Sequence, residues 1–319
     1  MTLPSKVTKG HATGNDFVMY WDPDGKYEPT ERQTRWLCDR HFGIGGDGLL
    51  RLVPLDLVIG LDANLLEACR AAGTEWFMDY RNADGSIAEM CGNGTRAITL
   101  FAQKLGLTKA AGEFKLATRA GLKTLTSLGD VPELGQDVFR VEMGSFSIGE
   151  IGKYRVTIPG AAGQASGTFV DMGNPHVVSV LGATASAGEE LGRPQFAALA
   201  QQLSAASLPD VESLDLATKP VVDPAIDSDQ NVEFLAIRAL EPEQDQGSAF
   251  MRVNERGVGE TLSCGTGLCA SGVVLQALTG IHQWMIAVRG GRLRVAVHDD
   301  STVTLTGPAS IVGEVQLAR

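Results

Sequence analysis

No run in this 319-residue chain approaches the roughly 20 apolar residues that a membrane helix requires. Its first residues, Met1 to Lys6, have none of the apolar core of a secretory signal. A membrane role is excluded on that pattern, and a cytoplasmic protein is expected. Positive charge is scarce too: 27 Lys and Arg stand against 38 Asp and Glu, a net charge of −11, and no basic cluster extends beyond a residue or two. That excludes the electrostatic footprint of a nucleic-acid binder. There are only five cysteines and five scattered histidines, with no Cys-x-x-Cys pair. Zinc finds no ligand set here, and without an export signal an odd number of thiols reads as reduced side chains. No metal is expected.

Two short stretches stand out against this background, Glu89-Met90-Cys91-Gly92-Asn93-Gly94 and Leu262-Ser263-Cys264-Gly265-Thr266-Gly267. Each is a Cys-Gly-x-Gly followed by an apolar run of helical character, ending at Gly106 in one case and Gly280 in the other. Each cysteine is therefore expected at or just before a helix start. There the free N–H groups and the helix dipole favour thiolate over thiol and also bind carboxylates. The same glycines fit the Gly-x-Gly-x-x-Gly/Ala dinucleotide pattern, as does Gly43 to Gly48. A nucleotide site needs an apolar strand directly before the glycines; Glu89 and Ser263 interrupt it in two cases, and the third runs into a strand. No nucleotide is expected. Cys38, Cys69 and Cys269 read as core or incidental thiols.

In chain order, Pro29 to Asp39 predicts a short helix capped by Thr30 with Trp36 and Leu37 inward, and Gly43 to Val53 predicts a glycine loop entering a strand. Residues 54–74 read as an insertion of no assigned structure. Glu75 to Tyr80 is strand-like, and Asn82 to Ser86 is a turn. Asp16, Asp47 and Asp84 read as turn or fold residues. Strand-like pieces and glycine turns fill Phe114 to Ile158, with a crossing into a second domain near Phe139. Pro194 to Ala206 predicts an amphipathic helix with Phe196, Leu199 and Leu203 on one face. A last strand, Ile311 to Leu317, is free to join either domain.

The chain also repeats itself. Gly14-Asn15-Asp16-Phe17-Val18 matches Gly173-Asn174-Pro175-His176-Val177 in shape, and each precedes a cysteine box; Asn82 and Glu255 each lie nine residues before their cysteine. Two related halves, each presenting one cysteine at a helix start, have the layout of a two-base racemase. Inverting a stereocentre needs a base on one face and an acid on the other, and a thiolate/thiol pair supplies both. Two helix starts aimed at the substrate carboxylate would stabilise the developing carbanion without a cofactor. His176 and Glu255, in the polar boxes of the repeat, are the candidates for tuning the pair.

At these residues the sequence resembles the diaminopimelate epimerase family. The resemblance runs through Gly14-Asn15-Asp16-Phe17, Gly43-Ile44-Gly45-Gly46-Asp47-Gly48, Asn82 to Ser86, Met90 to Arg96, Gly173 to His176, Asn231-Val232-Glu233-Phe234, Glu255-Arg256-Gly257, and Glu260 to Gly267. It implies an α/β fold of the α+β type: two pseudo-symmetric domains, each a mostly antiparallel β-sheet wrapped around a central helix, with the active site in the cleft between them. The halves would be residues 1–139 together with a returning C-terminal strand, 307–319, and residues 140–306. It further implies cofactor-free conversion of LL-2,6-diaminopimelate to the meso form, on the route to lysine and peptidoglycan, by a homodimer.

Carried over position by position, Cys91 and Cys264 become the acid/base pair, tuned by His176 and Glu255. Gly92, Asn93, Gly265 and Thr266 would hold the reacting carboxylate, with Asn15, His176 and Glu255 bordering the reacting end. Asn82, Asn174, Asn231 and Arg256 would grip the distal amino-acid head. Many members of the family have a glutamine where this chain has Gly48, so one side-chain contact to substrate is missing. The alternatives are a racemase for another amino acid on the same fold and a non-catalytic amino-acid-binding protein. Proline-type racemases carry Cys-Gly-His in the first box where this chain has Asn93, and a binding protein needs no second cysteine.

Overall fold

The computed structural model describes residues 3–318. Two compact units emerge: one takes the chain up to Glu142 and from Thr306 onward, the other takes Met143–Leu305. Among the described residues no helix is long and apolar enough to cross a membrane.

In the first unit, β1 (Lys6–Ala12) and β2 (Asn15–Trp21) form an antiparallel hairpin. β3 (Gly48–Pro54) lies parallel to β2, and β4 (Trp76–Asn82) antiparallel to β3. The chain crosses over to β5 (Gly112–Thr118), parallel to β4, then adds β6 (Gly121–Val131) and β7 (Gly135–Ser145) antiparallel. The chain's last strand, Ser310–Gln316, pairs with β1. Helices α1 (Glu31–Cys38) and α2 (Ala63–Ala71) occupy the connections before and after β3. The β4–β5 crossover is α3 (Gly92–Lys104), buried at every residue from Gly92 to Ala102. A helix enclosed on all sides needs small residues where strands press on it, and Gly92, Gly94, Ala97 and Ala102 supply them.

The second unit opens with β8 (Ser147–Ile148), β9 (Tyr154–Thr157), β10 (Ala165–Asp171) and β11 (Pro175–Ala183), then α4 (Ala185–Glu190), α5 (Ala197–Ala205) and β12 (Val221–Asp223). There follow β13 (Asn231–Glu241), β14 (Gln246–Glu255), β15 (Gly259–Thr261), α6 (Gly265–Thr279), β16 (Gln283–Val288) and β17 (Gly291–Val297). β18 (Thr302–Pro308) and β19 (Ser310–Gln316) complete the chain.

The repeat seen in the sequence is a repeat of topology. In the first unit the pairings β1–β2, β2–β3, β3–β4, β4–β5 and β5–β6 run antiparallel, parallel, antiparallel, parallel, antiparallel. In the second unit β10–β11, β11–β13, β13–β14, β14–β16 and β16–β17 run in the same order. Each buried helix occupies the same crossover, α3 between β4 and β5 and α6 between β14 and β16. Gly14 and Gly173 take the left-handed conformation in equivalent turns, at φ of 82° and 89°.

Two local expectations need correction, and one stretch left unassigned gains a structure. Thr30 does cap α1, through a reciprocal capping box with Gln33. Leu37 is buried, however, while Trp36 is 44% exposed; neighbouring helical residues point some 100° apart and cannot share one inward face. Residues 54–74 hold a 3₁₀ turn and α2, whose N-cap Asp62 accepts from the N–H groups of Asn64 and Leu65. Cys69 on α2 packs with Val53, Leu55, Phe77 and Ala117, so this insertion closes a small core of its own. The segment from Pro194 begins as a 3₁₀ turn, Pro194–Phe196, and only then becomes α5; Phe196 and Leu199 are fully buried, Leu203 only partly.

Gly48 is confined by its neighbours. A Cβ there would stand 2.6 Å from Tyr80 Cε2 and 2.7 Å from the Arg81 carbonyl oxygen. The ring can give way, but the paired backbone of β4 cannot. A glutamine at this position is therefore incompatible with the β3–β4 spacing of this chain. Gly48→Ala is expected to destabilise the protein by about 1–3 kcal/mol through overpacking; an unchanged midpoint in chemical denaturation would show that the ladder yields.

Candidate active site

Both cysteines are N-caps with extended backbones, Cys91 of α3 at φ −140°, ψ 118° and Cys264 of α6 at φ −120°, ψ 116°. In the first half, the Gly94 N–H donates to Cys91 Sγ at 3.4 Å, and the thiol faces Asn15 Oδ1 at 3.5 Å. Asn93 Nδ2 donates to the same oxygen at 3.4 Å. Behind this group lies Arg96, fully buried, whose Nη2 donates to Asn93 Oδ1 at 2.8 Å and to the Thr13 hydroxyl at 3.3 Å. Asn15 is held from the other side, its Nδ2 donating to Asp47 Oδ2 at 2.8 Å. That bond fixes which end of the amide faces the cysteine. Arg40 in turn bridges Asp16 and Asp47. Burial works to raise the Asp16 pKa, but Arg40 and Lys9 outweigh it and hold the carboxyl well below the usual range.

The second half is built at the equivalent positions. Asn174 follows the glycine of the β10–β11 turn as Asn15 follows that of the β1–β2 turn, and its Nδ2 donates to the Thr266 hydroxyl at 3.3 Å. Thr266, like Asn93, stands two residues beyond its cysteine, and its hydroxyl lies 3.6 Å from Cys264 Sγ. The Gly267 N–H approaches this sulfur without closing a formal cap, yet it favours the thiolate. His176 Nε2 lies 3.2 Å from Asn174 Oδ1, and its Nδ1 lies 2.7 Å from Glu233 Oε1. Asn231 Nδ2 reaches His176 Nε2 at 3.5 Å and the Pro175 carbonyl at 3.2 Å, while its Oδ1 accepts the Arg256 N–H at 2.9 Å.

The two ends of this second group differ in charge from the first. Burial pushes the Cys264 thiol well above its ordinary pKa, and the carboxylates of Glu255 and Glu233 push it further. Glu255 is itself raised by burial, although the Thr261 hydroxyl and the Cys264 thiol, both donating to it, pull the other way.

Of the residues singled out in the sequence, Asn15, Cys91, Gly92 and Asn93 gather at the start of α3. Asn174, His176, Asn231, Glu255, Cys264, Gly265 and Thr266 gather at the start of α6 through the bonds above. Asn82, at the end of β4, donates its amide N–H to the Ser86 hydroxyl in its own turn, at 3.0 Å. The exposed Arg256 side chain donates to the Ser228 carbonyl at 3.0 Å. Sequence reasoning missed Asp47, set aside as a turn residue, and Glu233, Arg96 and Thr261. All four lie inside the motif stretches named above, which is the available signal. Among the described residues no cluster of His, Cys, Asp and Glu is arranged to hold a metal ion.

This arrangement, two topologically equivalent halves each with a buried crossover helix, is the fold of a solved phenazine biosynthesis protein of the PhzF family from Bacillus anthracis. That structure matches with a TM-score of 0.61 over 98% of this chain and 99% of that one, at 13% identity. The particular family is set by sequence. Residues 7–148 and 168–312 match the family Diaminopimelate epimerase. The chain is 37% identical over 327 residues to the diaminopimelate epimerase of Corynebacterium glutamicum, spanning 99% of this chain and all of that one. It is 38% identical over 318 residues to that of Mycolicibacterium gilvum, spanning 98% and 97%. The chain belongs to the diaminopimelate epimerase family.

Proposed function

We propose that this protein interconverts LL- and meso-2,6-diaminopimelate by proton transfer between Cys91 and Cys264. The observation that carries the reading is the duplicated cysteine N-cap, placed at the same crossover of two equivalent halves in a chain of this family. One thiolate takes the α-proton, and the C–H electron pair passes to Cα and into the adjoining carboxylate. The other thiol delivers its proton to the opposite face, so the two sulfurs end with exchanged protonation states.

Cys264, buried against two carboxylates, holds its proton at rest. The base of the pair is then assigned to Cys91, at a helix start with the buried Arg96 guanidinium one turn further on. The backbone N–H groups of Gly92, Asn93, Gly265 and Thr266, at the two helix starts, receive the reacting carboxylate as charge builds on it. Asn15, His176 and Glu255 border the reacting end, while Asn82, Asn174, Asn231 and Arg256 hold the distal head. A cytoplasmic homodimer belongs to the same reading.

Incubating the purified protein with LL-diaminopimelate in deuterated water, with no added cofactor, is expected to give meso product carrying one α-deuteron, followed by NMR and chiral chromatography. Absence of exchange with both thiols reduced would sink the reading. Exchange confined to a one-headed amino acid would replace it with a racemase of different specificity.

A further inference from the structure

The His176–Glu233 pair is enclosed on all sides, both side chains having no exposure to solvent. Glu233 uses only one of its oxygens: Oε1 meets His176 Nδ1 at 2.7 Å, while Oε2 is buried with no hydrogen-bond partner. A half-satisfied buried carboxylate is a poor structural device, since well-packed apolar residues usually serve stability as well or better. Its position is equally specific. A Cβ on Gly267 would stand 2.5 Å from Glu233 Oε1 and 3.3 Å from Cys264 Cβ, so the carboxylate rests on the bare first turn of α6 beside the cysteine.

The other side of the imidazole is prepared for both of its states. With Nδ1–H given to Glu233, a protonated Nε2 donates to Asn174 Oδ1, and a bare Nε2 accepts from Asn231 Nδ2. Neither amide is free to turn: Asn174 Nδ2 is engaged by Thr266, and Asn231 Oδ1 by the Arg256 N–H. Proton exchange at His176 is thereby confined to one nitrogen.

We propose that Glu233 is a positioning residue which, by accepting the Nδ1–H of His176, fixes the ring so that only Nε2 gains or loses a proton beside the Cys264 helix start. The inference rests on the acid/base reading of Cys264. It places no group of Glu233 on the substrate, so its loss acts mainly through His176, the remainder being the push its charge gives the Cys264 thiol.

The test is a double-mutant cycle on the full chain with Glu233→Ala, His176→Ala and both together, read as kcat and KM for LL-diaminopimelate. Glu233→Ala is expected to lower kcat by roughly 100-fold with KM changed by less than about threefold. In the His176→Ala background it is expected to cost far less than in the wild type, no more than about threefold, the part that its charge beside Cys264 contributes directly. Glu233→Gln, whose amide oxygen still accepts the Nδ1–H, is expected to recover most of the loss, and it carries the test if Glu233→Ala fails to fold. Histidine ¹⁵N spectra supply a readout independent of turnover: Nδ1 of His176 protonated in the wild type, and mixed tautomers in Glu233→Ala. Additive losses, or a bare Nδ1 in the wild type, would overturn the proposal. Wild-type turnover in Cys264→Ala would overturn the acid/base reading and this inference with it. An inactive Cys264→Ala beside a Glu233→Ala of wild-type kcat would overturn this inference alone.

Discussion

Cys91→Ala and Cys264→Ala are each expected to lower kcat for epimerisation of LL-diaminopimelate by about 10³-fold or more, near the upper range for loss of a general acid or base. The reason lies in the two faces of the stereocentre. With one thiol gone, the remaining sulfur can still remove a proton from the isomer that presents it, but nothing on the far side can complete the inversion. The proton returns to the face it left. A residual exchange without inversion therefore follows: in deuterated water each single variant is expected to label one diastereomer only, and the two variants opposite ones. The experiment separates a two-base mechanism from a single shuttling base more sharply than loss of activity does. Epimerisation at wild-type rate in either variant, or labelling of both diastereomers by one of them, would refute the paired roles. Both alanines replace N-cap residues in extended backbone, where what each helix start loses includes the Gly94 N–H contact to Cys91 and the approach of the Gly267 N–H to Cys264.

How much of this was legible beforehand depends on how local the cause is. The helix starts at Cys91 and Cys264 and the stop at Gly280 were readable because glycine and the apolar period act over a single turn. The repeat was readable for the same reason, since Asn15 and Asn174 sit in equivalent turns fixed by the preceding glycine. The parallel pairings that make the halves topologically equal were not, because register between distant strands depends on packing that no short window contains. Trp36 is misplaced and residues 63–71 go unassigned in the sequence for lack of a long apolar stripe: each short helix buries only part of one face. Asp47 and Glu233 were passed over because a carboxylate that orients a neighbouring side chain looks, in sequence, like a carboxylate that holds a turn. The distances of 2.8 Å to Asn15 and 2.7 Å to His176 are what distinguish them.

Glu255→Gln carries the second large effect, and its sign is fixed by charge. Burial raises the Glu255 pKa, and the ionised carboxylate in turn disfavours the Cys264 thiolate. As pH rises through the elevated Glu255 pKa, the negative charge appears beside the thiol and drives its ionisation to higher pH. A neutral amide removes that charge at every pH, so the Cys264 pKa is expected to fall toward its ordinary value. Alkylation of Cys264 at neutral pH, measured by mass spectrometry in a Cys91→Ser background, should then run roughly threefold faster or more, following the thiolate fraction. Epimerisation should move the opposite way. A thiol of ordinary pKa still keeps its proton at neutral pH, so the loss appears as pH rises: the alkaline limb of kcat, where both sulfurs are bases and no acid faces the carbanion, is expected to move to lower pH, with kcat about 10-fold below wild type on that limb. A nucleophile that becomes more reactive while the enzyme becomes slower is the mark of an acid that has lost its proton. A labelling profile unchanged, or shifted to higher pH, would mean that Glu255 does not hold the proton on Cys264.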